Sequence, residues 1–384
     1  MSPISRHSVG FAPRLAAFYA AMFVMSGILL PFFPVWLKAK GLDARMIGVV
    51  LAAPILARVF AVPAAAHAAD RRDALRGSIL LASAACIGGF LLVGLANGAA
   101  SILIAYAVAS IAYTPLMPLA DAYALKGLAA RSRAYGPVRL WGSAAFVVGS
   151  FAAGLATDLI PARQLIWLIV AAGALTSAAA LALEPVHAQP SAEEPAEPRA
   201  LLRNAAFIAV MVAASLIQAS HAVYYGFSAL QWHGIGLDGT AIAALWALGV
   251  IAEIVLFALQ SRLPPFLTPQ ALLIAGALGG AVRWVAMAAN PPVAALPFLQ
   301  LLHAASFGAT HLGMIGFVAM HASRGQGATA QGYLAVALGT TMAAATAISG
   351  VLFGAFGSRA YAAMALAAVA GGIAAYVAHR MARR

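Results

Sequence analysis

Charged side chains are scarce in this sequence of 384 residues, of which only 9% are Asp, Glu, Lys or Arg while 63% are hydrophobic. Soluble domains are about 45–50% apolar, so the composition excludes an ordinary soluble fold. The single cysteine, Cys86, lies inside an apolar run and excludes an intrachain disulfide. The sequence also has no Gly-x-Ser-x-Gly motif, no metal-spaced cluster of His and Cys, and no phosphate-binding loop. It therefore indicates no enzyme, no metal site and no cofactor.

Long apolar runs dominate what is present. A helix crosses the ~30 Å hydrocarbon layer of a membrane in about 20 residues. Twelve runs of that length occur, at 12–37, 44–67, 77–96, 99–124, 138–158, 162–183, 204–232, 240–262, 271–289, 292–320, 331–355 and 358–380. Their richness in Ala, Leu and Gly favours helices over the alternating strands of a barrel. We therefore predict an all-α protein that crosses a lipid bilayer twelve times.

The basic residues indicate topology rather than a nucleic-acid partner. The formal net charge is +12, but the 23 Lys and Arg residues are distributed unevenly. Sixteen fall at the termini or in the even-numbered loops, five fall in the odd-numbered loops, and Arg58 and Arg283 lie inside predicted helices. This asymmetry follows the positive-inside rule, so both termini are predicted to be cytoplasmic, in the inner membrane of a bacterium. The first apolar run is too long for a signal peptide and is expected to be retained.

A polar segment at 184–203, with four prolines and four glutamates, is predicted to be a cytoplasmic linker between 1–183 and 204–384. The two parts look related, because residues 41–60 align with 236–257 at an offset of 195. Two parallel sets of six helices are the arrangement of the major facilitator superfamily. The loop at 68–76 partly resembles the Asp- and Arg-rich loop of that superfamily, which implies gating or structural roles for Asp70 and Arg71.

Ionisable residues inside the predicted helices are the candidates for function. A charge at the bilayer centre costs roughly 2.5–3.5 kcal/mol, so it persists mostly where it faces a cavity, pairs or carries function. The candidates are Arg58, Asp121, Arg139, His221, Glu253, Arg283, His303 and His311. Arg139 needs an acidic partner, and Asp121 is the nearest acid in sequence. Arg58, placed toward the inner end of its helix, is predicted to brace a cytoplasmic gate or to snorkel.

Several stretches resemble the phenylpropionic acid permease family of the major facilitator superfamily. The most specific are SRAYGPVRLWGSAAFVVGS (132–150) and SHAVYYGFSALQW (220–232), and the resemblance extends over nearly all twelve helices. It implies two pseudo-symmetric bundles of six helices and uptake of an aromatic or related carboxylate together with a proton. Members of this family are also similar to the lactose permease and to nucleoside symporters.

The lactose permease pattern can be carried over residue by residue. In that permease a helix 4 acid and a helix 5 arginine, eighteen residues apart, grip the sugar, and Asp121 and Arg139 have this spacing. Phe146 lies seven residues after the arginine, where the permease has the aromatic ring that stacks on the sugar. The resemblance implies that these three residues bind substrate. The helix 8, 9 and 10 members of the coupling machinery are matched by Glu253, Arg283 and His303.

The chain departs from the permease where a proton would be carried. Ser306 replaces the proton-carrying glutamate, Gln300 replaces a lysine, and the seventh helix has no aspartate. We therefore expect Glu253 or His303 to carry the proton. Burial favours a neutral carboxyl group, a nearby arginine favours the charged form, and histidine titrates near physiological pH. Movement of Arg283 relative to Glu253 would load or release the proton.

The seventh helix adds a polar face, because Gln218, His221, Tyr225 and Ser228 are three or four residues apart. We expect His221, Tyr225 and the adjacent Tyr224 to contact substrate, although packing alone could also explain them.

In the tenth helix, His311 is a further candidate for proton coupling. It lies eight residues after His303, so the two side chains diverge by about 80° on an ideal helix and need not share a task.

The leading interpretation is a monomeric secondary transporter that takes up a small organic acid, such as phenylpropionate, with protons. Its partners would be that substrate, protons and the bilayer, with no nucleic acid. Three alternatives remain: a proton-antiport exporter or uniporter of drugs or metabolites, a proton-coupled sugar or nucleoside importer, and a receptor or scaffold that binds without transport.

Overall fold

Long apolar helices make up almost all of the structure, a computed structural model that describes residues 8–71, 74–186, 198–321 and 327–382. No strand occurs in those ranges. The helices are α1 Ser8–Ala39, α2 Ala44–Arg71, α3 Leu75–Leu95, α4 Ala99–Ala129, α5 Tyr135–Leu159, α6 Leu165–Leu181, α7 Ala205–Gly234, α8 Gly239–Ala258, α9 Pro269–Ala288, α10 Val293–Met320, α11 Gly327–Phe356 and α12 Tyr361–Ala382.

Twelve membrane-crossing helices are confirmed in these ranges. Eleven apolar stretches are long enough to cross a bilayer, and the last of them, Thr329–Met381, contains both α11 and α12. The two are separated by a 3₁₀ turn that begins at Gly357, whose φ of +57° is easily adopted only by glycine.

The same turn occurs in both copies of the predicted internal repeat. Gly41 and Gly236 have φ values of +89° and +93°, and each is followed by Leu and then Asp. The Asp43 carboxylate accepts a hydrogen bond from the amide of Met46 at 2.8 Å, and Asp238 accepts one from Ala241 at 2.7 Å. Each aspartate therefore caps the helix that follows, α2 or α8. This local identity supports the alignment at an offset of 195.

Three of the helices, α4, α7 and α10, are interrupted near their middle. Helix α4 breaks at Thr114–Pro115, where proline removes a backbone donor. Helix α7 breaks at Ser220–His221. Helix α10 contains a π-helical segment, Ala304–Ala309, which follows His303. Breaks of this kind free backbone groups and re-aim side chains, and π-segments are frequent at functional sites.

The described residues cluster into two compact units. The first draws on Met1–Leu42, Leu56–Pro190 and Trp232–Ala244, and the second on Asp43–Ile55, Ser191–Gln231 and Leu245–Arg384. In the first unit α1 packs on α5 and α6, and in the second α12 packs on α7 and α9. The predicted linker at 184–203 stays a prediction, and residues 187–197 lie outside the described ranges.

Small residues bring α1 and α5 into close contact in the first unit. A Cβ atom added to Gly149 would lie only 2.8 Å from the Cα of Val24. The hydroxyl of the next residue, Ser150, donates a hydrogen bond of 3.0 Å to the carbonyl of Gly27, about one turn after Val24 on α1. Small residues allow such close approach of transmembrane backbones. This contact positions Tyr135 and Arg139, on the same helix, against α1.

Candidate substrate and proton-coupling sites

A buried arginine is at the centre of a polar cluster in the second unit. Arg283 on α9 has no exposed surface. Its Nη2 donates to Oε1 of Gln300 at 2.6 Å, and its Nη1 donates to Nδ1 of His303 at 3.1 Å. The guanidinium also lies 4.4 Å from the centre of the Tyr224 ring and 4.7 Å from that of Trp284. Neutral partners therefore surround this cation at short range.

His303 connects the arginine to the carboxylate of Glu253. Its Nε2 lies 3.6 Å from Oε2 of Glu253 on α8. Because a guanidinium can only donate, Nδ1 of His303 must accept, and the ring proton of the neutral histidine is assigned to Nε2, on the Glu253 side. The three residues that the sequence associated through resemblance are therefore in one chain of contacts: Arg283, His303, Glu253.

His221 has the opposite tautomer. Its Nδ1 lies 3.1 Å from the carbonyl of Gln218 and must donate there, because a carbonyl only accepts. Its Nε2 then accepts from the hydroxyl of Ser306 at 3.1 Å. Ser306, which replaces the permease glutamate, is therefore a hydrogen-bond partner of His221. Both nitrogens of His221 are engaged within the unit.

Aromatic rings surround this cluster. Tyr224 is buried and stacks on Trp246 with ring centres 4.7 Å apart, while Tyr225 stacks on His221 at 5.6 Å. Tyr225 is also close enough to Glu253 to interact with it electrostatically. The indole of Trp284 donates to Ser220 at 2.9 Å. These contacts fix the position of the ionisable groups.

His303 and His311 are connected through a ring that lies between them in sequence. The rings of both histidines stack on Phe307, at 5.1 Å and 6.3 Å between centres. The π-helical segment Ala304–Ala309 lies between the two histidines, so the spacing of an ideal α-helix does not apply to them. His311 is therefore an extension of the cluster through Phe307 rather than a separate site.

In the first unit, the expected ion pair of Asp121 with Arg139 is absent from the described contacts. Oδ1 of Asp121 accepts hydrogen bonds from the hydroxyls of Tyr19 at 2.6 Å and Tyr135 at 2.7 Å. Two charge-assisted hydrogen bonds of this length satisfy the carboxylate without a cation. Asp121 and Arg139 are nevertheless neighbours, because Tyr135 lies one helical turn before Arg139 on α5.

Arg139 contacts aromatic rings instead. Its guanidinium lies 4.1 Å from the centre of the Phe23 ring and 5.6 Å from that of Tyr19, both on α1. Such ring contacts hold a cation in place and leave its donors available for a carboxylate. Phe146, further along α5, is buried where α5 contacts α1 at Gly27.

Arg58 lies further from the end of its helix than the sequence predicts. Helix α2 continues to Arg71, beyond the predicted end at residue 67, so Arg58 lies at the middle of the helix rather than toward its inner end. It is exposed and lines a cavity within the first unit. The side chains of Asp70 and Arg71 lie outside the described part of the structure, so their predicted roles stay predictions.

Sequence reasoning missed three residues that complete these sites. Tyr19 had no signal, because it reaches Asp121 from 102 residues away. Tyr135 could have been found, since it shares a helix face with Arg139. Gln300 was noted only as a departure from the permease, yet it accepts the shortest hydrogen bond of Arg283.

Twelve apolar helices with ionisable residues among them are the architecture of a secondary transporter. The chain belongs to the MFS_1 like family, whose family model matches residues 13–363. It is therefore a membrane transporter of the major facilitator superfamily and not an enzyme.

Two relatives narrow the family resemblance. The chain is 32% identical to the "Probable 3-phenylpropionic acid transporter" of Escherichia coli (strain K12), over 92% of this chain and 94% of that protein. It is 29% identical to the maltose permease of Geobacillus stearothermophilus, over 72% of this chain and 71% of that protein. The resemblance to the phenylpropionic acid permease family is confirmed.

Solved structures confirm the fold. The nucleoside transporter NupG superposes with a TM-score of 0.83, covering 97% of this chain and 99% of that one, at 15% identity. A bacterial homolog of the human lysosomal transporter Spinster, in an inward-facing and unoccupied conformation, superposes with a TM-score of 0.73, covering 98% of each chain at 14% identity.

Proposed function

We propose that this protein takes up a small organic carboxylate, of the phenylpropionate class, together with a proton, by alternating access. The similarity to the E. coli transporter, together with Arg58 and Arg139 of the first unit, supports an anionic substrate. The charge asymmetry of the loops supports an inner membrane location with both termini cytoplasmic. The working unit is a monomer that has no nucleic-acid partner.

The observation that carries the proposal is the sharing of His303 between Arg283 and Glu253. A second proton can bind to Nδ1 of His303 only when Arg283 releases that atom. The resulting imidazolium repels Arg283 and attracts the carboxylate of Glu253. Protonation is thereby linked to the position of a buried cation, and such a link can favour one conformation over another.

Substrate binding is proposed for the first unit. Arg139 holds the substrate carboxylate, since its donors are not used in an ion pair with a described residue. Asp121, held by two tyrosine hydroxyls, stabilises the cation when the site is empty. Phe146, on the same helix, is proposed to contact the rest of the substrate. The expected substrate contacts of His221, Tyr224 and Tyr225 stay predictions.

A substitution at Glu253 tests the coupling. Glu253→Gln keeps the size of the side chain but cannot ionise, so uphill accumulation of radiolabelled phenylpropionate should be lost while exchange persists. Uptake is measured in proteoliposomes that are alkaline inside, with protein-free liposomes as the baseline. Glu253→Asp is the matched control, because it keeps a titratable carboxyl group and should retain part of the accumulation.

Full pH-driven accumulation by Glu253→Gln would refute the coupling role. The same vesicles separate the alternatives, because an antiporter moves substrate against the direction of proton flow and a uniporter ignores the pH gradient. Selective accumulation of maltose or a nucleoside would replace the proposed substrate class.

A further inference from the structure

A permanent cation lies in the middle of α2 without a described anionic partner. Arg58 makes no hydrogen bond or ion pair with the residues that the structure describes. A guanidinium has five hydrogen-bond donors and no acceptor, so its natural partner is an anion. A charge at this depth is costly unless it faces water or a counter-ion. The groups around Arg58 therefore indicate its role.

Those surroundings are a cavity of about 210 Å³ in the first unit. It is lined by Arg58, by three residues that carry hydroxyls, Ser26, Tyr113 and Thr114, and by apolar residues that include Phe23 and Met117. The volume is below the about 300–1,000 Å³ of pockets for drug-sized ligands, so it suits a small molecule. One cation opposite apolar walls matches a small monocarboxylate with an apolar body.

The hydroxyls of the cavity can adapt to such a ligand. The oxygens of Ser26 and Tyr113 are 3.1 Å apart, and either can donate to the other. Ser26 can also donate to the carbonyl of Met22 at 3.1 Å, and Tyr113 then donates to Ser26. When Ser26 donates to Tyr113 instead, the hydrogen of Tyr113 is free to turn toward a carboxylate. Tyr113 also lies close enough to Arg58 to interact with it electrostatically. Both groups can therefore act on one ligand anion.

The internal repeat gives an independent reason to regard the position of Arg58 as functional. Helix α2 begins at Ala44 and α8 at Gly239, and Arg58 and Glu253 each lie fourteen residues further along. Glu253 is part of the polar cluster of the second unit. The equivalent position of the first unit carries the opposite charge and faces a cavity.

We propose that Arg58 is a carboxylate-binding residue, which holds the anionic group of a small apolar monocarboxylate in this cavity. The inference rests on the proposed function. It makes Arg58 a second cationic residue that binds substrate, besides Arg139. Arg139 contacts the ring of Phe23 but is not among the residues that line the cavity. Phe23 and Met117 contact the apolar body of the substrate.

Binding selectivity between an acid and its neutral analogue tests the assignment. The affinities of the purified full-length protein for 3-phenylpropionate and 3-phenylpropanamide are measured by calorimetry. Arg58→Gln should lower the acid-to-amide affinity ratio at least about tenfold, the scale of one charge-assisted hydrogen bond. Arg45→Gln, on the same helix but outside the cavity, is the matched control and should leave the ratio unchanged.

An unchanged ratio in Arg58→Gln overturns the assignment. If that variant does not fold, Ser26→Leu narrows the same cavity without changing its charge. It should weaken acid and amide binding alike, and unaltered binding of both would likewise refute the assignment. If the wild-type protein transports phenylpropionate and Arg58→Gln keeps the wild-type acid-to-amide affinity ratio, only the role of Arg58 is refuted. If the wild-type protein neither binds nor transports any carboxylate, the proposed function itself is refuted.

Discussion

At the scale of single residues, His303 offers a test that separates structure from proton transfer. Glutamine can accept the hydrogen bond of Arg283 through its oxygen and donate to Glu253 through its nitrogen, but it cannot bind a second proton. His303→Gln should therefore keep substrate exchange and lose accumulation, so that the inside and outside concentrations of phenylpropionate become equal. Both quantities are measured in proteoliposomes with and without a pH gradient.

The control for this variant is His233→Gln, at the exposed end of α7. It removes the same ionisable group outside the cluster and should accumulate substrate like the wild type. Accumulation by His303→Gln at the wild-type level would show that His303 is a structural bridge only.

The sequence could predict some of these residues better than others. Glu253, Arg283 and His303 stand out because each is an ionisable residue inside an apolar run, and they are in contact. The partner of Asp121 could not be predicted, because Tyr19 is an ordinary aromatic residue on a distant helix. The tyrosines take the place expected for Arg139, since two short hydrogen bonds satisfy the carboxylate.

At the scale of helices, the close contact of α1 with α5 gives a prediction about stability. A methyl group at Gly149 would collide with the backbone at Val24, so Gly149→Ala should destabilise the protein by about 1–3 kcal/mol, as overpacking does. The measurement is the thermal denaturation temperature of the protein in detergent. Gly136→Ala on the same helix is the control, because nothing lies within 4 Å of its added methyl group. Equal denaturation temperatures for the two variants would contradict the close packing.

Helix number and approximate bounds are predictable from the sequence, because apolar length alone specifies a membrane-crossing helix. The interruptions of α4, α7 and α10 are harder to predict. Pro115 gives a local signal in α4, but no proline marks the break at Ser220–His221 or the π-segment Ala304–Ala309. Their cause is tertiary packing, which hydropathy does not describe.

At the scale of the whole molecule, the two compact units differ from a simple division of the chain into two sets of six helices. Asp43–Ile55 belongs to the second unit and Trp232–Ala244 to the first. The two segments are equivalent in the internal repeat, since each includes the start of a helix after a Gly-Leu-Asp turn. The repeat can be recognised in the sequence from this motif. Which helix segments belong to which compact unit cannot, because that depends on packing between helices.

The charge moved in one transport cycle is a property of the whole molecule, and it gives the final prediction. A membrane potential of 100 mV, negative inside, opposes entry of a monoanion by about 2.3 kcal/mol, or roughly 50-fold in accumulation. Entry of one proton with each carboxylate cancels that charge, so accumulation of phenylpropionate should follow the pH gradient and not the potential. The two are imposed separately in proteoliposomes with pH jumps and potassium–valinomycin gradients. If accumulation rises when an inside-negative potential is imposed, more than one proton must enter with each carboxylate. If accumulation falls under that potential, proton symport is excluded, because the substrate then crosses as an uncompensated anion.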